Sequence, residues 1–445
     1  MNPAAVPRLG LVTRLKRLVL FRDDPPGFLQ GIASRHGDLV RLQVPGVTVF
    51  LVSHPELVQE VLVTKNRHFV KSLDTRYLRH ALGDGLVTSE GETWLRQRRL
   101  MQPAFHKARI AAYTRVMGER TEAMLATWRD GQQLDLHAAM AELTLDIVAR
   151  TLFGAEVGED TPRVGAAIAQ LMEGFAAYLG SPVHLPVWVP TPSHLKRREA
   201  VADLDRIVYR LIEARRRADE PRDDLLQVLL DARDEGDGRG MTDTQLRDEV
   251  ITLFSAGHET TAVALTWTMV LLARHPEVEA GLAEEVRAVL GDRPPTVDDL
   301  EALAPVTRTV KEGMRLYPPV WAIGREAKED VEIGGHRIPR GAQVVMSQWI
   351  VHRDRRFHPH PLRFDPDRFL PEGEAAMHRF AYFPFGGGQR LCIGERFALV
   401  EATLILASIL QRFRVGLAPD HTIRTLASVT LRPRDGVPAI LTARR

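Results

Sequence analysis

The chain has 445 residues, of which 44% are hydrophobic, and it contains a single cysteine. That much apolar material can form a large core without disulfides, and one cysteine excludes both an intramolecular disulfide and a cysteine-rich zinc site. The 59 Lys and Arg residues nearly balance the 57 Asp and Glu residues, and the resulting formal charge of +2 argues against a nucleic-acid-binding domain.

The longest N-terminal apolar stretch, residues 9–21, is interrupted by Arg14, Lys16 and Arg17. It is therefore too short and too charged to span a membrane, and it lacks the small-residue cleavage pattern of a secretory signal. Weak surface attachment through a basic amphipathic helix stays open. Together with the unpaired cysteine, this segment predicts a cytoplasmic protein with no integral membrane anchor.

Extended segments are predicted in three β-rich portions, near residues 39–52, 331–346 and 429–441. The first has two β-rich runs on either side of Pro45-Gly46, which is typical of a hairpin. The second surrounds Gly334-Gly335, and the third surrounds Asp435-Gly436, so further hairpins are expected there.

The remainder of the chain is predicted to be helical, most clearly from about Leu57 to Leu316, where apolar residues recur at three and four spacing. Thr242 and Gln245 have the spacing of a capping box. A helix should therefore begin there and run to about Arg274, before Pro276.

The fold class follows from this distribution of elements. The strands are too few and too far apart for a doubly wound sheet, and no solenoid-length repeat is visible. No Ser/Gly-rich linker or low-complexity tract interrupts the chain. We therefore expect a mainly α fold with a minor β region, forming one large domain over residues 1–445.

Four short patterns within this framework are ordinary when taken singly. A helical pair such as Glu312 and Arg315 is by default a solvated ion pair, and a threonine-rich helix is by default a buried one with routine side-chain bonds to its backbone. The patterns are Trp94 with Arg98, Ala256-Gly257-His258-Glu259-Thr260-Thr261, Glu312 with Arg315, and Phe364-Asp365-Pro366-Asp367-Arg368-Phe369.

The surroundings of the cysteine are far more specific. Cys392 follows the glycine-rich run Phe385-Gly386-Gly387-Gly388 and Arg390, and it precedes Gly394 and an apolar helical stretch from Glu395 to Phe413. Free N–H groups and the helix dipole would stabilise a thiolate at such a helix N-terminus. The glycines permit close approach of a flat ligand, and Phe385 can shield the sulfur from water.

Phe-x-x-Gly-x-Arg-x-Cys-x-Gly resembles the ligand loop of the cytochrome P450 family, and the four patterns above occur in family order. The resemblance implies that Cys392 ligates the iron of haem b (iron protoporphyrin IX). Phe385, Gly386, Arg390 and Gly394 would form its loop. Trp94, Arg98 and Arg325 would contact the haem propionates.

The resemblance also implies that residues 256–261 are the oxygen-activation segment. Ala256 and Gly257 would leave space for O2 at a kink, while Glu259 and a Thr260 hydroxyl that leaves the helical ladder would assist protonation. Glu312, Arg315 and Arg368 would form a buried structural network behind the ligand loop.

An apolar substrate is expected, because the side chains that the resemblance places around the distal pocket are apolar and of modest size. They are Leu86, Val87, Ala256, Thr260 and Val320. Fatty acids, terpenoids, steroids and macrocyclic products all satisfy this description. Residues from about Phe153 to Arg217 should form a lid, which has no decisive polar signature.

The expected activity is monooxygenation of this substrate by O2 in a monomeric protein. With no dinucleotide fingerprint and no room for a fused reductase, electrons should come from a separate ferredoxin or flavodoxin, guided by Arg96, Arg99 and Lys107. The alternatives are a peroxide-driven oxygenase, which would not need the Glu259 and Thr260 relay, and a haem-thiolate sensor or carrier without turnover.

Overall fold

The structure is a computed structural model that describes residues 23–44, 46–154, 160–179, 185, 188–218, 222, 224–234, 238–419 and 421–444. The apolar segment 9–21, the turn residue Pro45 and parts of the expected lid lie outside the described residues. Among the residues described, no helix is both long enough and apolar enough to cross a membrane.

The chain divides into two compact units, each assembled from three separated segments. Unit 1 comprises Met1–Tyr77, Lys311–Cys392 and Thr425–Arg432, and unit 2 comprises Leu78–Val310, Ile393–Arg424 and Pro433–Arg445. Because neither unit is a contiguous stretch, neither corresponds to a domain of the usual sequential kind. The single domain over residues 1–445 stays a prediction.

Helices account for most of the described chain. In chain order they are α1 Pro25–His36, α2 Pro55–Gln59, α3 Leu73–Leu82, α4 Gly91–Met101, α5 Lys107–Thr127, α6 Leu136–Phe153, α7 Thr161–Leu179, α8 Pro192–Arg217, α9 Leu225–Asp231, α10 Asp243–Arg274, α11 Pro276–Leu290, α12 Ala304–Leu316, α13 Gln348–Val351, α14 Pro371–Ala376 and α15 Glu395–Arg412. A π-helical turn, Glu60–Thr64, extends α2.

The strands are short and few beside the helices, so the mainly α fold with a minor β region is confirmed. They are β1 Leu39–Val44, β2 Val47–Val52, β3 Phe69–Lys71, β4 Gln133–Asp135, β5 Ile323–Ala327, β6 Val331–Ile333, β7 His336–Ile338, β8 Gln343–Met346, β9 Phe413–Leu417, β10 Thr425–Ala427, β11 Leu431–Pro433 and β12 Pro438–Ala443.

Unit 1 is organised around a mixed five-stranded sheet with the order β1-β2-β8-β5-β3. The predicted first hairpin is confirmed, since β1 and β2 pair antiparallel from Leu39 opposite Val52 to Val44 opposite Val47. The second is confirmed by β6 and β7, which pair antiparallel around the two glycines. Val52, Val344 and Met346 of this sheet are fully buried and belong to one hydrophobic cluster. Apolar residues that alternate along the strands thus contribute to the core of this unit.

Unit 2 is organised around α10, the helix predicted from the capping box. Both capping bonds are present: the Gln245 N–H donates to Thr242 Oγ1 at 3.2 Å, and the Thr242 N–H donates to Gln245 Oε1 at 2.9 Å. Helix α10 packs along α6, where the Phe153 and Phe254 ring centroids are 4.5 Å apart. Most of this helix is buried, including polar residues such as Asp248 and Glu249, so it lies inside unit 2.

The predicted C-terminal hairpin is wrong. Strand β11 pairs with β10, whereas β12 pairs with β4 and β9. The reason lies at Asp135, whose Oδ1 accepts the Val437 N–H at 3.0 Å, while the Leu136 N–H donates to the Val437 carbonyl at 2.9 Å. These bonds direct the chain after the Asp435-Gly436 turn toward β4 instead of back along β11.

The predicted helical stretches also need two corrections. Short strands β3 and β4 interrupt the region from Leu57 to Leu316, and their runs of three residues are too short to produce a periodic pattern. The helix after the cysteine ends at Arg412, one residue earlier than expected, because Phe413 begins β9.

Candidate active site

The ligand loop, residues 385–392, closes on itself within unit 1. The Cys392 N–H donates to the Phe385 carbonyl at 3.1 Å, and the Leu391 N–H donates to the Gly388 carbonyl at 3.2 Å. The Cys392 side chain is exposed, and α15 begins shortly after it at Glu395, with Gly394 as the residue before the helix. The loop therefore presents a thiol just ahead of a helix N-terminus.

The glycines allow this loop to lie directly against the π-helical turn Glu60–Thr64. Gly388 has φ of +67°, and a Cβ built there would lie 2.0 Å from the Leu62 carbonyl oxygen. At Gly387 a Cβ would lie 2.4 Å from the Phe380 ring. Backbone cannot move aside as a flexible side chain can, so the loop reaches its position only with glycine at 388.

Behind the ligand loop, unit 1 brings together the three predicted members of the charged network. Arg315 Nε and Nη2 donate to the two carboxylate oxygens of Glu312 at 2.6 and 2.7 Å, and both side chains are 0% exposed. Arg368 Nε lies 3.4 Å from Glu312 Oε1. A bidentate pair without solvent is costly to break, because removal of one partner leaves a buried charge.

Two buried histidines, which the sequence analysis did not identify, extend this network to the segment just before the ligand loop. Arg315 Nη1 donates to the His352 carbonyl at 2.7 Å, and His352 Nε2 accepts the Phe383 N–H at 2.9 Å. His358 Nε2 donates to the Ala381 carbonyl at 2.9 Å. Neither histidine stands at a regular spacing from a charged partner, so no sequence pattern indicated them.

Burial keeps both histidines neutral. Desolvation, with a smaller contribution from His358 and Arg315, lowers the pKa of His352 well below its ordinary value. Desolvation likewise lowers the pKa of His358 to about 4. Neutral His352 can accept the Phe383 N–H, which an imidazolium could not do. Uncharged imidazoles therefore hold the chain segment that leads into the ligand loop.

In unit 2, helix α10 is buried along residues 246–272 except at three positions. Ala256 is exposed, and Gly257 and Thr260 are half-buried. We refer to these three residues as the exposed window. They are small residues on one face of the helix, in the middle of a span that is otherwise removed from solvent. Ala256 and Thr260 keep this part of the helix accessible to solvent, whereas a Cβ at Gly257 would lie 3.0 Å from Val148 Cγ2.

The polar groups of the exposed window and its neighbours are specific in their placement. Thr260 Oγ1 donates to the Ala256 carbonyl at 2.8 Å. The hydroxyl is therefore bonded to the backbone of its own helix, which differs from the prediction that it leaves the helical hydrogen bonds. The helix is continuous through this segment, although threonines bonded in this way tend to bend helices. Glu259 is buried. His258 is also buried, and its Nδ1 donates to the Phe254 carbonyl at 2.8 Å.

Leu86 and Val87 lie in a loop that two acidic residues of α10 hold in place. Asp248 Oδ2 accepts the Asp84 N–H at 2.7 Å, and Glu249 Oε2 accepts the Leu86 N–H at 2.9 Å. Leu86 is buried and Val87 is half-buried. Both acids were missed in the sequence analysis, because backbone acceptors on a buried helix have no recognisable spacing.

The basic residues that are predicted to lie around the haem are half-buried. Arg98 lies one helical turn after buried Trp94 on α4 in unit 2. In unit 1, Arg325 lies on β5 with Nη1 donating to the Gly324 carbonyl at 2.8 Å, and Arg390 lies in the ligand loop. Val320, the last predicted pocket residue, is also half-buried in unit 1.

These observations fit the haem that the sequence resemblance implies. A soft, exposed thiol is the ligand type that iron in a haem-thiolate protein uses. The ligand loop requires glycine at its closest approach, and half-buried guanidinium groups are suited to carboxylate substituents. The small residues of the exposed window leave space beside an otherwise buried helix.

Comparisons of this chain with known proteins all point to the same family. The sequence model of the cytochrome P450 family matches residues 2–436. Pentalenene oxygenase of Streptomyces avermitilis is 39% identical over 431 residues, covering 96% of this chain and 94% of that protein. Cyclooctat-9-en-7-ol 5-monooxygenase of Streptomyces melanosporofaciens is 36% identical over 422 residues, covering 95% and 90%. The solved cytochrome P450DA heme domain has a TM-score of 0.85 and 30% identity, covering 96% and 93%.

Proposed function

The chain belongs to the cytochrome P450 family and is a haem-containing monooxygenase, and from that premise we propose that it inserts one oxygen atom of O2 into a terpenoid. The observation that carries this proposal is the exposed window in α10. A helix otherwise buried over residues 246–272 opens only at small residues and one hydroxyl. An apolar molecule and O2 can be accommodated there without a large polar group to exclude them.

Bound haem supplies the electron-transfer and O2-activating chemistry of the reaction. This chain contributes the thiolate of Cys392 as iron ligand, in a loop whose position Gly388 makes possible. Trp94, Arg98 and Arg325 would hold the propionates of the haem. The buried pair Glu312 and Arg315 fixes the segment that leads into the ligand loop.

Glu259 and Thr260 provide the proton-transfer function in this proposal. Thr260 Oγ1 holds a proton that it now donates to the Ala256 carbonyl, and rotation of the hydroxyl would release that proton toward O2. Glu259 is the neighbouring acid and is buried, so water cannot reach it freely. Neither a peroxide-driven oxygenase nor a sensor or carrier would need this proton-donating pair.

The substrate class rests on two observations. The window and the loop before α4 offer Ala256, Leu86 and Val87, which recognise hydrophobic shape and make no charged contact. The relatives named above are named for oxidation of pentalenene and of cyclooctat-9-en-7-ol, which are terpenoids. A terpenoid is therefore favoured over the fatty acids and steroids that the sequence left open.

The proposal is tested by turnover with surrogate ferredoxin and reductase, NAD(P)H and a panel of cyclic terpenoids under 18O2. We expect a product that carries one 18O atom. An unmodified panel, or product that forms with hydrogen peroxide but not with O2 and the electron donors, would overturn it. A monomeric, cytoplasmic protein with a separate redox partner is part of the same proposal.

Thr260→Ala tests the assigned proton donor. The variant should consume NAD(P)H but convert less of it into product, with the balance released as peroxide, because the hydroxyl proton is missing. Thr268→Ala is the matched control: Thr268 lies on the same helix and donates to the Ala264 carbonyl at 2.7 Å, but it is fully buried. Full coupling in Thr260→Ala would count against the assigned role.

A further inference from the structure

Three consecutive charged residues lie in the buried part of α10, and the proposed chemistry uses none of them. Arg247, Asp248 and Glu249 are 8%, 6% and 0% exposed. Charged side chains are costly to bury unless they are paired and hydrogen-bonded. The contacts that hold these three residues all lie within unit 2, and they lead in two directions from α10.

Arg247 joins α10 to α8, a helix of the expected lid. Its Nε donates to Asp205 Oδ1 at 2.5 Å, and Asp205 is half-buried on α8. Its Nη1 donates to Asp248 Oδ1 at 2.8 Å. One guanidinium thus bonds a carboxylate on the lid helix and a carboxylate on α10 through two different nitrogen atoms. We refer to Asp205, Arg247 and Asp248 as the ion triad.

Asp248 connects the ion triad to residues 83–88, which we call the pocket loop because two predicted pocket residues lie in it. Oδ1 of Asp248 accepts from the arginine of the triad, whereas Oδ2 accepts the Asp84 N–H at 2.7 Å. Gly83 permits this close approach, since it has φ of +70° and a Cβ built there would lie 2.0 Å from Asp248 Oδ1. The same carboxylate therefore holds the arginine and the loop backbone.

We propose that Arg247 is a positioning residue that ties lid helix α8 to the pocket loop, so that the position of Leu86 and Val87 depends on that of the lid helix. Arg247 touches neither substrate nor haem in this arrangement. The inference rests on the proposed function, because the loop matters for catalysis only if Leu86 and Val87 contact the substrate. Among the described residues, the Asp205 carboxylate bonds to Arg247 alone, so a change at Asp205 should reach the loop through the ion triad.

The tie is tested without turnover, by hydrogen–deuterium exchange of the holoprotein in peptides that cover the pocket loop. Asp205→Ala removes the carboxylate on the lid helix and leaves Arg247 with one acidic partner. The Asp84 and Leu86 amides should then exchange about fivefold faster, the typical effect of one net hydrogen bond. Exchange of the pocket loop at the parental rate in Asp205→Ala would overturn the inference.

Arg216→Ala is the matched control, because Arg216 and Asp243 form an exposed bidentate pair between the same two helices. Its loss should leave exchange of the pocket loop unchanged, and an acceleration equal to that in Asp205→Ala would overturn the inference. Arg247→Leu should also speed exchange, and addition of Asp205→Ala to it should have no further effect. A further increase in the double variant would show that Asp205 acts by another route and would overturn the role of Arg247.

Ligand affinity tests whether the tie reaches the substrate pocket. N-phenylimidazole and imidazole both bind haem iron and shift its absorption band, but only the aryl compound needs the apolar walls of the pocket. In Asp205→Ala the dissociation constant of N-phenylimidazole should rise about threefold, because the ligand must order the loop as it binds, whereas that of imidazole should not change. An unchanged affinity for N-phenylimidazole, or an equal loss for both compounds, would overturn the positioning role.

Failure of this inference and failure of the proposed function are distinguishable. If the parent protein oxidises no terpenoid, the proposed function fails. Amide exchange and the two imidazole titrations need no turnover, so they still decide whether Arg247 positions the pocket loop.

Discussion

At the scale of single residues, buried groups that titrate are the parts of this site that sequence reasoning could not reach. Cys392 stands out by its glycine-rich surroundings, and the Glu312 and Arg315 pair is indicated only by the family resemblance. The structure brings the pair into bidentate contact. His352 and His358 have ordinary sequence surroundings. Their roles arise from burial and from contacts with Phe383 and Ala381, which are distant in the chain.

His358 should make stability depend on pH in the acid range. The unfolded chain protonates a histidine near pH 6.5, whereas the folded protein protonates His358 only near pH 4. Between these values the unfolded state binds more protons, so stability is lost as pH falls, by about 3 kcal/mol in total for this residue.

Denaturant unfolding of the holoprotein at several pH values between 6.5 and 4 measures this effect. His358→Gln, which can still donate to the Ala381 carbonyl, should lose less stability than the parent over this range. His106→Gln replaces an exposed histidine and should behave like the parent. If His358→Gln lost as much stability as the parent, the neutral state assigned to His358 would be wrong.

At the scale of elements, patterns bound to local periodicity were predictable and pairings between distant segments were not. The β1 and β2 hairpin and the capped helix α10 match the sequence almost residue for residue. The C-terminal strands were located, but their partners were assigned wrongly because Asp135 captures Val437. Turn chemistry shows where a chain reverses and does not show which strand it then joins.

The ligand loop offers a prediction at this scale. Gly388→Ala should lower haem content and melting temperature, because alanine resists a φ of +67° and its Cβ would lie 2.0 Å from the Leu62 carbonyl oxygen. Gly281→Ala is the control: it lies on α11 with open space around it and should stabilise the protein by up to about 1 kcal/mol. Normal haem content in Gly388→Ala would contradict the account of the loop.

At the scale of the whole molecule, the small net charge of +2 means that partner recognition depends on local surfaces. The basic surface expected for electron-donor docking is partly neutralised. Arg99 Nη2 and Arg96 Nε lie 2.7 and 3.3 Å from the same Asp234 carboxylate oxygen. Lys107 is exposed. We therefore expect Lys107 to contribute more to electron-donor docking than Arg96.

Stopped-flow reduction by a surrogate ferredoxin at low and high salt tests this expectation. Lys107→Gln should slow reduction at low salt and weaken its salt dependence, because one steering charge is lost. Lys328→Gln, at another exposed lysine, should leave both unchanged. Equal effects of the two substitutions would show that Lys107 has no special part in docking.

The proposed activity depends on the thiolate of Cys392 as the ligand of the haem iron. Cys392 is the only cysteine, so no other thiol can replace it. The most direct measurement is the absorption spectrum of the reduced holoprotein under carbon monoxide. We predict the long-wavelength Soret band typical of thiolate ligation, and its loss in Cys392→Ser. A spectrum typical of histidine ligation in the parent protein would show that Cys392 does not ligate the iron.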